Sequence, residues 1–225
     1  MLLLVLGKGK TGSLVAEIAR ERGHGVRALD ITENQNASAL TAPNLAGVDA
    51  VIDFTAPQAA LENMRAVLAL GSRIVVGTTG WYAHLDEMKA LAHRRHGALL
   101  YGTNFSIGVQ KLFRLTAELA QLDGYQFSIS ETHHTSKLDA PSGTALTLKE
   151  IILEARPGIE IPITSLRVGD AKGEHIVTAT SEYDMLELRH DAHSRRGFAL
   201  GAVRAAEWIA DKHGAWEFRE IFNQL

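Results

Sequence analysis

The sequence predicts an α/β protein: a Rossmann-like parallel-sheet domain followed by an α+β domain with an open, mostly antiparallel sheet. Three observations predict it. Short apolar runs alternate with helical patterns over the first hundred residues. A glycine-rich turn follows the first run and opens the first helix. After Asn104 the pattern changes to strands of strict alternation.

Five apolar runs, Leu2–Leu6, Gly25–Asp30, Ala50–Phe54, Arg73–Val76 and Ala98–Tyr101, are bounded by turn residues, as strands buried on both faces of a parallel sheet are. Helical patterns lie between several of them. Leu14, Ile18 and Ala19 form the first. Leu61, Met64, Val67 and Leu68 form the second, behind Pro57, a residue favoured near a helix start. Leu85, Met88, Leu91 and Ala92 form the third and end in Arg94 and Arg95, which suit the negative end of a helix. Repeated strand–helix–strand units imply right-handed crossovers with helices on both faces.

In the second part, Leu112, Leu115, Leu119 and Leu122 mark an amphipathic helix, and Tyr125–Ser130 alternates as a half-buried strand does. Thr147–Ala155 is helical and is stopped by Arg156-Pro157-Gly158. Ile163–Val168, His175–Thr180 and Met185–His190 read as further strands. Ala199–Ile209 reads as a helix that returns to the first domain. The expected division is 1–104 with a C-terminal return at 197–225, and 105–196.

Composition narrows the function. A hydrophobic content of 46% can fill two cores. A net charge of −3 without a basic block argues against nucleic acid as a partner, because phosphate neutralisation needs clustered Lys and Arg. The absence of cysteine excludes disulfides, thiolate zinc sites and a cysteine nucleophile, and fits a reducing, cytoplasmic compartment. The opening Leu2-Leu3-Leu4-Val5-Leu6 is too short for a signal peptide and reads as a buried strand. No stretch approaches the about 20 apolar residues of a membrane span.

Gly7-Lys8-Gly9-Lys10-Thr11-Gly12 is a GxGxxG turn between strand and helix. Its glycines allow close backbone approach, and the helix N-terminus offers free N–H groups to a pyrophosphate. Asp30, eighteen residues beyond Gly12, stands where an acid bonds an adenosine ribose. The first domain is therefore expected to bind a dinucleotide; a plain glycine-rich turn with a solvated aspartate is the alternative. An acid at the ribose repels a 2′-phosphate, so NADH is preferred to NADPH, although Lys8 or Lys10 could neutralise a phosphate and allow both. At the carboxyl ends of further strands, Asp53-Phe54-Thr55, Gly77-Thr78-Thr79-Gly80 and Gly102-Thr103-Asn104-Phe105 offer small residues with hydroxyl or amide groups, suited to a nicotinamide and its ribose or to ordinary turns.

The segment Glu131–Ala145 carries the chemistry. His133 and His134, at a strand end, point to opposite faces. Pro141 and Gly143 prevent continuous helix, so the expected layout is strand, loop, then a helix capped by Ser142, with the N–H groups of Gly143 and Thr144 facing a carboxylate. Lys137 can donate a proton, pair with a carboxylate or form a Schiff base, and a histidine can act as acid or base. No metal is expected at the histidine pair, since alternation aims the rings apart and no third ligand stands out.

At these residues the chain resembles the 4-hydroxy-tetrahydrodipicolinate reductase family, also called dihydrodipicolinate reductase. Glu131–Ala145 matches its signature E-x-H-H-x-x-K-x-D-x-P-S-G-T-A. Further matches are Asp53-Phe54-Thr55, Gly77-Thr78-Thr79-Gly80, Asn104-Phe105-Ser106, Arg167-Val168-Gly169, Gly173-Glu174-His175 and His190-Asp191-Ala192-His193-Ser194-Arg195, in order along the chain. The family loop is usually G-x-x-G-x-M-G; here it is one residue shorter, with Thr11 where methionine is common.

The resemblance implies an NAD(P)H-dependent reduction in the diaminopimelate route to lysine, acting on a cyclic imine that bears two carboxylates. It implies His133 as catalytic acid/base and Lys137 as proton donor, with His134, Ser142, Gly143 and Thr144 holding substrate. Gly7–Gly12, Asp30, Phe54, Gly77, Thr78, Thr79, Gly102, Thr103, Asn104 and Phe105 become cofactor contacts. A cytoplasmic homotetramer assembled through the second domain is implied as well. Two rival readings are another imine- or amino-acid-directed dehydrogenase, such as an aspartate dehydrogenase, and a non-catalytic NADH-sensing module.

Overall fold

The apolar runs near the start of the chain become strands because alternate side chains find cover on opposite faces of one sheet. In the computed structural model, which describes residues 1–225, the chain divides into two units, Met1–Ile107 with Arg196–Leu225, and Gly108–Arg195. The elements run β1 (Leu2–Leu6), α1 (Lys10–Glu21), β2 (Gly25–Leu29), α2 (Ala42–Leu45), β3 (Ala50–Asp53), α3 (Pro57–Ala69), β4 (Arg73–Val76), α4 (Leu85–Arg94) and β5 (Ala98–Tyr101). Then follow α5 (Ile107–Leu119), β6 (Gln126–His133), α6 (Gly143–Ala155), β7 (Ile163–Arg167), β8 (Glu174–Thr180) and β9 (Met185–Asp191). The chain closes with α7 (Arg196–Ile209), β10 (Gly214–Glu217) and α8 (Phe218–Ile221).

The first unit holds a six-stranded parallel sheet in the order β10-β5-β4-β3-β1-β2. Leu3, Val5, Ile52 and Leu100 pack with α1 and α7, while Leu4, Leu6, Val51 and Leu99 pack with α3 and α4. This is period-two alternation with both faces covered, and each buried Leu or Ile contributes roughly 1.5–3 kcal/mol. The strand β10 was not anticipated from the sequence. Strand β1 has β2 on one side and β3 on the other, so the loops leaving β1 and β3 diverge at the carboxyl edge, the place where sheets of this kind bind ligands.

The second unit holds a four-stranded sheet in the order β7-β6-β8-β9. The pairs β6–β8 and β8–β9 are antiparallel. The pair β6–β7 is parallel, because α6 crosses between them and returns the chain in the same direction. Phe127, Ile129, Val177 and Ala179 fill one face, beneath Ala145, Leu148 and Ile152 of α6. The apolar side chains of Leu166, Met185 and Leu186 remain exposed. No helix is long and apolar enough to cross a membrane.

Candidate active site

The turn from β1 into α1 is shaped by what a side chain would hit. Gly7 has φ +93°, and a Cβ there would lie 2.7 Å from the Phe54 carbonyl oxygen. A Cβ on Gly12 would lie 1.9 Å from the Gly7 carbonyl oxygen, so this helix can start against the turn only without one. Gly9 caps α1 with no side-chain hydrogen bond, which leaves the N–H groups of Lys10, Thr11 and Gly12 without an intrahelical acceptor. They form an anion-receiving helix start. A cavity of about 420 Å³ adjoins it, lined by Gly7, Lys8, Gly9, Asp30, Ile31 and Phe54 among others. A second, of about 500 Å³, is lined by Lys10, Thr11, Phe54, Gly77, Thr78 and Thr79.

Asp30 follows β2 at the edge of the first cavity. Its Oδ1 accepts hydrogen bonds from Thr32 N (2.9 Å), Thr32 Oγ1 (2.7 Å) and Glu33 N (3.3 Å), leaving Oδ2 for a ligand hydroxyl. The Thr32 hydroxyl and N–H hold the Asp30 carboxyl below its usual range, so it stays ionised at neutral pH. Lys8, next to it, is paired with Glu33.

Gly77 is close to Phe54: a Cβ there would sit 2.1 Å from the Phe54 ring. Thr78 Oγ1 donates to Thr55 O at 2.9 Å. Beneath these loops lies Asp53, fully buried, accepting from Thr55 N (2.8 Å), Thr55 Oγ1 (2.7 Å) and Asn63 Nδ2 (2.8 Å). Burial pushes its carboxyl up against these hydrogen bonds. Asp53 therefore ties the loops after β3 and β4 together instead of facing a ligand. Gly102, Asn104 and Phe105 follow β5. Phe105 is buried against Phe54 and Phe218, Asn104 Oδ1 accepts from Ser106 N at 2.8 Å, and Thr103 is exposed. These glycines and the open helix start fit a dinucleotide: the backbone is bare where a pyrophosphate would approach, and an ionised acid follows the second strand at the cavity edge.

In the second unit, Glu131 and His133 lie on the helix-covered face of β6, and the register sets Glu131 opposite His175 of β8. Glu131 is fully buried. Its carboxylate accepts from Ser142 N (3.0 and 3.1 Å) and from the Arg167 guanidinium (3.2 Å). Burial raises its pKa, but these hydrogen bonds, led by Ser142, outweigh that and hold it below the usual carboxylate value. Arg167 also donates to the carbonyls of Lys137 (3.3 Å) and Asp139. One ion pair thus pins the loop after β6 and the start of α6 together.

Ser142 is the N-cap of α6: its Oγ accepts from Ala145 N at 3.3 Å. The N–H groups of Gly143 and Thr144 have no intrahelical acceptor, the arrangement of an anion-receptive helix start. His133 Nε2 stands 3.3 Å from His175 Nε2 and 3.4 Å from Glu131 Oε2. Gly173 makes room for the ring, since a Cβ there would meet His133 Cε1 at 3.1 Å. Burial pushes the His133 imidazole below its ordinary value; Glu131 opposes this, and Lys137 and Arg167 add to it. His175, buried, is pushed down to about 4, first by burial and then by His133.

Lys137 Nζ is held by both oxygens of Asp139, at 2.7 and 2.8 Å, and His134 Nδ1 bonds Ser136 Oγ at 2.8 Å. The loop therefore presents an ammonium, an exposed helix start and an imidazole from one short segment. Glu131, Arg167 and His175 join the site in the fold without having been expected there from sequence. Glu131 could have been found from the alternation Phe127, Ile129, Glu131, which places a carboxylate in the core; Arg167 and His175 depend on strand register, which no local pattern reveals.

Residues 1–105 match the family model described as dihydrodipicolinate reductase, N-terminus, and residues 108–222 the one described as dihydrodipicolinate reductase, C-terminus. A 4-hydroxy-tetrahydrodipicolinate reductase of Christiangramia forsetii is 36% identical over 100% of this chain and 99% of its own length. One of Natronomonas pharaonis is 37% identical over 96% of this chain and 97% of its own. In fold, the chain is similar to a dihydrodipicolinate reductase of Paenisporosarcina sp. TG-14, solved with dipicolinate bound, with a TM-score of 0.83 and 24% identity over 100% of this chain and 99% of the other. With both halves matched and close likeness along its full length, the chain belongs to the dihydrodipicolinate reductase family.

Proposed function

We propose that this chain reduces 4-hydroxy-tetrahydrodipicolinate, or the dihydrodipicolinate left when its hydroxyl departs, to tetrahydrodipicolinate in the diaminopimelate route to lysine. Full-length likeness to reductases of that name carries the reading. The geometry supports it, because the signature Glu131–Ala145 folds into a helix start open to a carboxylate, beside His133 and Lys137.

When bound, the nicotinamide supplies the hydride. The chain's residues do the rest. Gly7–Gly12 receive the pyrophosphate at the start of α1, and Asp30 takes a ribose hydroxyl through Oδ2. Phe54, Gly77, Thr78, Thr79, Gly102, Thr103, Asn104 and Phe105 shape the strand-end loops around the remainder of the cofactor. NADH is preferred and NADPH accepted: the ionised Asp30 repels a 2′-phosphate, and Lys8 is already engaged by Glu33.

Ser142, Gly143 and Thr144 hold one substrate carboxylate at the start of α6, and His134 contacts the other. Lys137 exchanges Asp139 for the dianionic ring and delivers the proton that accompanies hydride addition. His133, neutral at neutral pH, polarises the ring and passes protons as acid and base. The protein works in the cytoplasm as a homotetramer built through the open sheet of the second unit, whose exposed Leu166 and Met185, on the face away from α6, favour a protein partner over water.

Turnover tests the assignment. Lys137→Ala and His133→Ala should each lower it by roughly 10²–10⁴, the range for a positioned acid or base. Wild-type turnover in both variants would reject the roles.

A further inference from the structure

We propose that Glu131, His133 and His175 form a binding site for a borderline divalent cation, Zn²⁺ foremost, and that filling it inhibits the reductase. The inhibitory half rests on the role proposed for His133; the site itself does not.

Two neighbouring strands aim three ligand atoms at one point. The Nε2 atoms of His133 and His175 are 3.3 Å apart, and Oε2 of Glu131 lies 3.4 Å from the first and 3.7 Å from the second. The centre of that triangle is about 2 Å from all three atoms, the bond length of Zn²⁺ to imidazole nitrogen and carboxylate oxygen. Tetrahedral ligands at that length stand about 3.3 Å from one another, so a cation slightly off the plane needs little rearrangement. Two histidines and one glutamate are a donor set that zinc takes, with one position left open.

The surroundings permit this. The Arg167 guanidinium bonds Oε1 of Glu131, while Oε2, which also accepts from Ser142 N at 3.1 Å, faces the histidines. The Lys137 ammonium is turned to Asp139. Glu131 is fully buried and His175 nearly so, while the His133 side chain keeps 12% of its surface exposed and gives a way in. Ser142 Oγ, 3.2 Å from His175 Nε2, adds a polar neighbour. A bound cation occupies the Nε2 lone pair of His133 and so removes it from proton transfer.

The experiment uses full-length protein stripped of metal with a chelator and titrated with Co²⁺, without substrate. The expected result is one-to-one binding with the visible absorption of four-coordinate Co²⁺, displaced by Zn²⁺. His175→Gln, and independently His133→Asn, should weaken binding at least tenfold. His134→Ala, adjacent but outside the triangle, should keep it. Absence of saturable binding below millimolar Co²⁺ or Zn²⁺, or equal affinity in wild type and both triangle variants, would overturn the site. With free Zn²⁺ buffered, inhibition of NAD(P)H oxidation should follow the binding curve and be reversed by chelator. Binding without inhibition would overturn the inhibitory half and count against His133 as a proton carrier, with the site still standing.

Discussion

His175 gives a stability prediction whose size follows from its place in the fold. Its imidazole is buried at 4% exposure, and its pKa is depressed to about 4 by burial and by His133, with His190 and Lys137 adding and Glu131 opposing. An unfolded chain returns that histidine to about 6.5. Between these values the unfolded state binds a proton that the folded state refuses. The stabilisation is therefore complete above about pH 6.5 and is lost as pH falls toward 4. At pH 5 the loss from this one residue is about 2 kcal/mol relative to pH 7. His175→Gln has no such proton to take up.

Urea unfolding followed by circular dichroism, with chelator present and protein concentration fixed, measures both proteins at the two values. The wild type should lose about 2 kcal/mol more than the variant between pH 7 and pH 5. His133 and His190 are depressed in the same direction and contribute to both proteins, and because they face His175 the measured difference belongs to the coupled cluster. An identical pH dependence in the two proteins would refute the buried neutral imidazole.

The phosphate turn is tested by a contrast of glycines. Gly12→Ala places its Cβ on the Gly7 carbonyl and should weaken NADH binding, measured by fluorescence titration, by roughly tenfold or more, whereas Gly9→Ala meets nothing within 4 Å and should weaken it much less. At the ribose position, Asp30→Ala should raise the KM for NADH about ten- to a hundredfold, the loss of one hydrogen bond to an ionised group, and raise that for NADPH less; equal changes for the two cofactors would mean that Asp30 does not contact the ribose.

Much of the first unit could be read from local pattern. The runs Leu2–Leu6, Arg73–Val76 and Ala98–Tyr101 are strands over those same residues, because a strand covered on both faces leaves a continuous apolar signal with turn residues at its ends. Ser142 was legible as a cap, since a hydroxyl before Gly-Thr-Ala meets the simplest helix-start rule. Strand β10 was not legible: Gly214–Glu217 is four residues long, and its partner β5 lies more than a hundred residues earlier. The parallel pairing of β7 with β6 was hidden too, because alternation reports which face a residue takes but not the direction of its neighbour. The same limit hid the cluster around Glu131. His133 could be placed at the end of β6, but its approach to His175 comes from register across two strands, and the Arg167 contact to Glu131 from the crossover through α6.

The most direct measurement is the oxidation of NADH and of NADPH by the purified chain while the upstream synthase generates the unstable 4-hydroxy-tetrahydrodipicolinate in the same cuvette. The reduced-nicotinamide absorbance should fall only when synthase product and this chain are both present, faster with NADH than with NADPH. No oxidation of either cofactor, with the synthase demonstrably turning over, would contradict the proposed reaction.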